Sequence, residues 1–257
     1  MSAPHRARKR FGQHFLVNPE VIRQIVASIA PREGDTLVEI GPGQGAITVP
    51  LASSGATLHA IEFDRDLAAT LRMKYAGSAR VTIHEADALK FDYASLGGDL
   101  RLVGNLPYNI STPLLFRLLD FLGHIRDMHF MLQKEVVDRL AAEPGSKAYG
   151  RLTVMFGCRA EVVPLFDVPP ESFSPPPKVM SSVLRIRPRV SAIAIDDPAR
   201  FSALVAQGFS QRRKTLHNAL KGHVTDAELE SVGIDPGARA EQVPIDGWAR
   251  LANRLGG

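Results

Sequence analysis

Thr36-Leu37-Val38-Glu39-Ile40-Gly41-Pro42-Gly43-Gln44-Gly45 is the stretch that decides the fold. An apolar run of strand length passes into a turn with three glycines, and Gln44–Ser54 then carries Ile, Val and Leu at helical spacing. Glycine lets the backbone turn tightly and lets a ligand approach with no Cβ in its way. A Gly-rich turn between a strand and a helix is where nucleotides bind on a parallel sheet. The spacing is Gly-x-Gly-x-Gly, not the Gly-x-Gly-x-x-Gly of the dinucleotide fingerprint. A plain tight turn is the competing reading.

Working outward, short apolar runs recur at Thr57–Glu62, Arg80–His84, Leu100–Val103 and Met128–Leu132. Asp64–Tyr75 and Thr112–Leu122 lie between them with helical spacing. Strands separated by single helices require a parallel sheet with helices on both faces. Asn18-Pro19-Glu20 before Val21–Ile29 reads as an N-cap with Pro in the first turn, and Ser111-Thr112-Pro113 reads the same way. Val162–Val168 and Ser182–Arg187 are two further strands, joined through Pro169-Pro170 and Phe173-Ser174-Pro175-Pro176-Pro177-Lys178. Proline removes donors and fixes φ, so this connection is expected to be exposed and stiff rather than a strand. After Pro188 the pattern is helical, over Pro198–Phe209, Arg212–Lys221, Asp226–Val232 and Ile245–Leu255. The expected organisation is an α/β, Rossmann-like domain over 1–190 and a small all-helical domain over 191–257. No internal repeat or low-complexity tract is present.

Hydrophobic residues make up 45% of the 257-residue chain and charged residues 23%, enough apolar content for a real core. No apolar run approaches the roughly 18 residues of a membrane span. The basic start, Arg6 to Arg10, is followed by no apolar stretch of signal-peptide length. The lone cysteine, Cys158, excludes an internal disulfide framework and a cysteine-built zinc site, and in its apolar surroundings it reads as buried rather than nucleophilic. These features point to a soluble protein of a reducing compartment, the cytoplasm. The net charge of +4 is unevenly placed. Nine basic residues against two acids fall between Lys178 and Lys221, and four basic residues with no acid between Arg6 and Arg10. That is the footprint of phosphate-backbone binding, with a solvated surface as the alternative.

Three acidic or polar positions follow the strand ends. Glu62 closes the second strand, where a carboxylate can accept both hydroxyls of a ribose; neighbouring Asp64 reads as a helix-start acid. Asp87 follows the third strand and can accept from an adenine amino group, or cap the next turn. A third acidic position beside an adenosine favours S-adenosylmethionine over NAD. The fourth strand ends in Gly104-Asn105-Leu106-Pro107-Tyr108-Asn109. The exocyclic amine of adenine is a poor nucleophile because its lone pair is delocalised into the ring. Two acceptors on its protons draw the nitrogen toward tetrahedral geometry and free that pair. The Asn105 side-chain oxygen supplies one acceptor and the Leu106 carbonyl the other. Pro107 biases Leu106 toward an extended conformation. Tyr108 offers an aromatic face for a flipped base and favours nearby positive charge. No metal and no covalent enzyme intermediate are required. A polar turn is the alternative, and the run by itself does not choose between DNA and RNA, or between one methyl and two.

These residues resemble the rRNA adenine N6,N6-dimethyltransferases, the dimethyladenosine transferases linked to kasugamycin sensitivity. The resemblance runs nearly end to end, through Arg8–Leu16, Glu39–Gly45, Glu62–Leu67, Asn105–Ser111, Met131–Val136, Phe173–Val179 and Gln211–Thr215. It implies a class I methyltransferase sheet and a cofactor site of His14, Leu16, Gly41, Gly43, Glu62, Asp87 and Asn105, with Phe11–Leu16 closing over S-adenosyl-L-methionine. It also implies base stacking between Tyr108 and Phe173. The family often has Asn where this chain has His14. The implied reaction is four methyl transfers, two on each of two adjacent adenines near the 3′ end of small-subunit rRNA, on a 30S assembly intermediate, by a monomer. The RNA contacts expected are Arg8, Lys9, Arg10, Lys178, Arg212, Arg213 and Lys214. The rival readings are the large-subunit adenine methyltransferase of macrolide resistance, an assembly factor in which methylation is secondary, and a dehydrogenase, which the glycine spacing disfavours.

Overall fold

The computed structural model describes residues 13–190 and 193–256. Its contacts divide the chain into two compact units, Met1–Val137 with Val163–Arg187, and Asp138–Val162 with Pro188–Gly257. The second unit starts beside the boundary expected near 190 and also takes in Asp138–Val162, which the sequence reading placed in the first domain.

The first unit is built on one open sheet. Its strands are β2 (Thr36–Ile40), β3 (Thr57–Glu62), β4 (Val81–Glu85), β5 (Leu100–Asn105), β6 (Ile125–Gln133), β7 (Ala160–Val168) and β9 (Ser181–Pro188). They lie in the order β4-β3-β2-β5-β6-β9-β7. The four pairs from β4 to β6 are parallel and β9 runs antiparallel to β6. All seven strands expected from the sequence are present. The order reverses direction between β2 and β5, so the segments leaving their carboxyl ends run to opposite sides and open a crevice at the Gly-rich turn and the Asn105 run.

The helices follow local chemistry. In α1 (Pro19–Ile29) the Asn18 Oδ1 accepts from the backbone N–H of Glu20 at 2.9 Å and of Val21 at 3.3 Å, satisfying donors the helix leaves open. The helix α3 (Arg65–Tyr75) starts on Asp64, whose Oδ1 accepts from Asp66 N–H at 3.0 Å, so Asp64 is the helix-start acid. Two helices differ from expectation. Helix α2 covers Thr48–Ala52, because Gly45 N–H first closes a turn on the Pro42 carbonyl. Helix α4 (Ser111–Leu118) begins at Ser111 itself, with no side-chain cap; the Ser111 hydroxyl bonds the Tyr108 carbonyl instead.

The Pro-rich connection also departs from expectation. Within it Phe173–Ser174 forms β8, antiparallel to β1 (Phe15–Leu16), with Leu16 opposite Phe173. Both are apolar and bury together with Val21, Ile25, Leu37, Val103 and Val183. Hydrophobic burial, of order 2 kcal/mol for each large side chain, pins a segment that propline-rich composition alone marks as exposed.

At the opposite edge of the sheet Arg101 is buried and fully bonded. It donates to Asp127 at 3.1 Å, to Asp35 at 2.8 Å and to the Ile29 carbonyl at the end of α1 at 2.6 Å. Burial alone raises the Asp35 carboxyl; bonds from Arg126, Arg101 and the Arg32 backbone outweigh it and hold the group at about 2.

In the second unit α6 (Arg151–Gly157), α7 (Pro198–Gly208), α9 (Asp226–Ser231) and α10 (Ile245–Arg254) surround the fully buried Trp248. Cys158 is buried there, and burial pushes its thiol up to about 12, so it is a packing residue. The helix expected over Arg212–Lys221 shrinks to α8 (Leu216–Ala219). Thr215 bridges Arg239 and Leu216 N–H is taken by the Ala238 carbonyl, which holds the preceding residues out of a helix. No helix among the described residues is long and apolar enough to cross a membrane.

Candidate active site

The carboxyl ends of β2, β3, β4 and β5, roofed by β1, enclose a cavity of about 240 Å³. His14, Leu16, Gly41, Gly43, Glu62, Asp87, Asn105, Leu106, Pro107 and Tyr108 all line it. Ten expected site residues spread over 95 positions of sequence are thus brought to one crevice. Arg8, Lys9 and Arg10 lie outside the described residues. Lys178 and Arg212–Lys214 are exposed and away from the cavity lining.

Glu62 is buried at the mouth of the Gly-rich turn. Its Oε2 accepts from Gly43 N–H at 3.0 Å and its Oε1 from Asp64 N–H at 2.8 Å. Burial raises its carboxyl above the ordinary value, and these backbone donors oppose the rise. A carboxylate has about four acceptor positions, so these bonds and a third from the Phe63 backbone still leave room for a ribose hydroxyl. Gly43 has φ of 58°, and a Cβ there would stand 3.2 Å from the Phe15 ring. Glycine therefore serves both the left-handed turn and the close approach of the β1 roof. Asp87 uses Oδ1 to accept from Leu89 N–H at 2.9 Å, so it does cap the next turn, while Oδ2 remains for an outside donor. A pocket with two carboxylates at its rim and backbone without Cβ at its base fits an adenosine-bearing cofactor.

The Asn105 run has a clear division of labour. The Asn105 amide nitrogen donates to the His14 carbonyl at 3.0 Å. That bond orients the side chain and leaves Oδ1 to accept. The Pro107 carbonyl takes both Ile110 and Ser111 N–H at 3.1 Å. The Tyr108 carbonyl takes the Ser111 hydroxyl at 3.1 Å. The Leu106 N–H is used on Met131, but its carbonyl has no partner among the described residues. The two acceptors that adenine amine chemistry needs are the two left open.

The aromatic pair expected around a base is arranged differently. Phe173 is 3% exposed in the core and does not line the cavity. The ring beside Tyr108 is His14, with centroids 5.6 Å apart and planes 30° apart. His14 Nδ1 donates to the Pro175 carbonyl at 2.8 Å, which fixes the imidazole in that place.

Sequence reading overlooked Glu39, which is 1% exposed, lines the cavity and has an Oε2 without a partner. Burial, with the nearby Glu62 carboxylate adding to it and Thr48 opposing, lifts its carboxyl to about 7. The available signal was an acid inside an otherwise apolar strand, Val38-Glu39-Ile40. Ser181, bonded to Tyr108, had no local signal.

An open sheet with one antiparallel strand beyond β6, a Gly-rich turn after β2 and acids after β3 and β4 define a class I methyltransferase. The profile of the family described as ribosomal RNA adenine dimethylase matches residues 4–256, and the chain belongs to that family. It is accordingly an S-adenosylmethionine-dependent enzyme. It is 53% identical over 252 residues to a ribosomal RNA small subunit methyltransferase A of Aromatoleum aromaticum, covering 98% of this chain and 95% of the relative. A crystal structure of a dimethyladenosine transferase from Plasmodium falciparum superposes with TM-score 0.82 at 25% identity, over 95% of this chain and 98% of that one. The 23S rRNA methyltransferase ErmE superposes with TM-score 0.73 at 26% identity, over 95% and 100%.

Proposed function

We propose that this chain dimethylates the N6 amines of two adjacent adenines near the 3′ end of small-subunit rRNA, acting as a cytoplasmic monomer on a 30S assembly intermediate. The observation that carries the reading is the pair of open acceptors, Asn105 Oδ1 and the Leu106 carbonyl, at the inner end of the cavity that Glu62 and Asp87 line. The higher identity to a small-subunit enzyme than to ErmE supports the choice of subunit.

In this reading Glu62 accepts a ribose hydroxyl, Asp87 accepts the adenine amino group of the cofactor, and the Gly41–Gly43 backbone lies against it. His14 and Leu16 roof the pocket. Bound S-adenosylmethionine supplies a methyl group on a cationic sulfur leaving group. Asn105 Oδ1 and the Leu106 carbonyl accept the two N–H bonds of the target amine and localise its lone pair. Each transfer leaves the sulfur neutral and the methylated nitrogen sheds one proton to solvent, so after the first transfer one N–H remains and either acceptor suffices to hold the amine for the second. Positioning supplies most of the acceleration in such a site. Phe173 acts as the second stacking face once β1 and β8 open to admit a base. Arg8, Lys9, Arg10, Lys178 and the exposed Arg212-Arg213-Lys214 turn hold rRNA phosphates, with 1–190 as the catalytic domain and 191–257 as the RNA-binding domain.

The test is incubation with unmethylated small subunits and labelled S-adenosylmethionine, followed by mapping of the modified bases. Two adjacent doubly methylated adenines near the 3′ end are expected. No label on small subunits while a parallel incubation labels large-subunit rRNA, or a single methyl at one adenine, refutes the proposal.

A further inference from the structure

The hydroxyl of Tyr108 lies 2.7 Å from that of Ser181, across 73 positions of sequence. Ser181 is fully buried and Tyr108 half-buried, so the bond is closed to water from the Ser181 side. Its backbone is held on both sides: it pairs with Gln133 at the end of β6, and the preceding Met180 carbonyl accepts the Lys134 N–H at 3.0 Å. The following Ser182 hydroxyl bonds the Phe166 carbonyl at 3.2 Å. Only the Ser181 hydroxyl rotor is adjustable, and it points at the phenol.

Tyr108 is otherwise anchored at one end only, through its carbonyl on Ser111. Its side chain turns about two bonds; the hydroxyl oxygen lies on the Cβ–Cγ axis, so tethering it fixes the first bond and with it the direction of that axis. The direction of the ring axis is then set by β9, a rigid strand, rather than by the turn that carries the residue. That direction governs the reaction geometry: Tyr108 is three residues beyond Asn105, and a base lying on its face presents its amine to Asn105 Oδ1 only when the ring stands in one place. His14 stacks on the ring, centroids 5.6 Å and planes 30° apart, and resists rotation about the Cβ–Cγ axis but does not hold the axis itself. Burial also pushes the phenol above its ordinary value, so the tether stays protonated throughout the working range.

We infer that Ser181 is a positioning residue, whose hydroxyl sets the Tyr108 ring so that the target adenine amine meets the Asn105 and Leu106 acceptors. The inference rests on the adenine N6 reading of the site. Ser181 touches neither cofactor nor substrate; it acts through Tyr108. The second methyl transfer is the more sensitive of the two, because the monomethylated amine has a single N–H left and relies more on the ring for its orientation.

The experiment compares wild type, Ser181→Ala, Tyr108→Phe and the double variant on unmethylated small subunits. Measured quantities are kcat, KM for S-adenosylmethionine and the ratio of mono- to dimethyladenine, with melting temperature recorded for each protein. Losing one buried hydrogen bond corresponds to a loss of about tenfold in kcat. The expected pattern is this loss in both single variants, no further loss in the double variant, KM for the cofactor within about twofold, and accumulated monomethyladenine. Multiplying losses in the double variant overturn the inference, because the two hydroxyls then act independently. So does wild-type kcat in Ser181→Ala or, should that variant fold poorly, in Tyr108→Phe, which keeps the ring. No N6-methylated adenine from the wild-type protein refutes the site reading and this inference together; full wild-type activity with an unaffected variant refutes this inference alone.

Discussion

Gly104→Ala is the substitution for which the structure makes the sharpest demand. Gly104 sits in β5 where it passes the last residue of β2, and a Cβ there would overlap the Ile40 carbonyl oxygen. It would also stand 3.3 Å from both the Ile40 carbonyl carbon and the Leu106 Cδ2. The obstructing oxygen belongs to backbone, so no rotamer relieves the clash, and the two strand ends must separate by roughly 1 Å. Overpacking of this kind costs about 3 kcal/mol at the severe end of its range. For a chain of this length that lowers Tm by roughly 6–12 °C. The same shift separates Gly41 from Asn105, the floor of the cofactor pocket from the amine acceptor. Misplacement by about 1 Å costs on the order of 100-fold in kcat. Differential scanning calorimetry and single-turnover methyl transfer below the lowered Tm measure the two effects. Gly77→Ala is the control, since a Cβ at Gly77 meets nothing within 4 Å. If Gly104→Ala matches Gly77→Ala in stability and rate, the close-approach argument is wrong. A lowered Tm with wild-type kcat separates strand spacing from catalysis and refutes the second half of the reasoning.

Asn105→Ala removes the oriented acceptor and is expected to abolish methyl transfer while rRNA binding survives; normal turnover sinks the two-acceptor mechanism. Arg212→Glu with Arg213→Glu is expected to weaken binding to immature small subunits with a shallower salt dependence, and unchanged affinity at moderate salt removes that turn from the RNA-binding account. Glu39→Gln tests the buried acid. Its folded value of about 7 lies above the model-peptide value of 4.5, so folding favours the protonated form. The ionisation penalty is absent below the unfolded value, grows between about 4.5 and 7, and reaches about 3 kcal/mol above it. Glu39→Gln is therefore expected to melt higher than wild type at pH 8, with the gain gone at pH 4; equal gains at both pH values contradict a carboxyl whose burial disfavours its charge.

Much of this was legible in the sequence because it depended on local signals. Strand periodicity around Val38 and Ile40, the Asn18-Pro19 cap, the Gly-rich turn and the acids at Glu62 and Asp87 are each short-range features. What escaped were contacts set by distant segments. Phe173 reads as part of an exposed Pro-rich link, yet Leu16, more than 150 positions earlier, draws it into the core. The Arg212–Lys214 run has helical composition, but Thr215 pairs with Arg239 and holds it as a turn. His14 reads as a weak cofactor contact; its ring lies on Tyr108 because the Pro175 carbonyl fixes its Nδ1.

The two edges of the sheet differ in how they treat the polar atoms of Arg101 on one side and of Glu39 and Asn105 on the other. Buried polar groups in native proteins almost always find partners. At the amino edge Arg101 is satisfied by Asp35, Asp127 and the end of α1, and the charges neutralise one another. Stability there is complete without a ligand. At the carboxyl edge Glu39 Oε2 has no partner, Asn105 is anchored through its nitrogen so that its oxygen stays open, and the Leu106 carbonyl is passed over by a turn that occupies its neighbours. Each open acceptor faces or borders the same cavity, and Asn105 is held there by the bond on its amide nitrogen. An edge left unfinished by accident would be free to relax; this one is held rigid with its acceptors exposed to the cavity. The fold thus spends its stabilising contacts on orienting groups whose partners come from outside the chain.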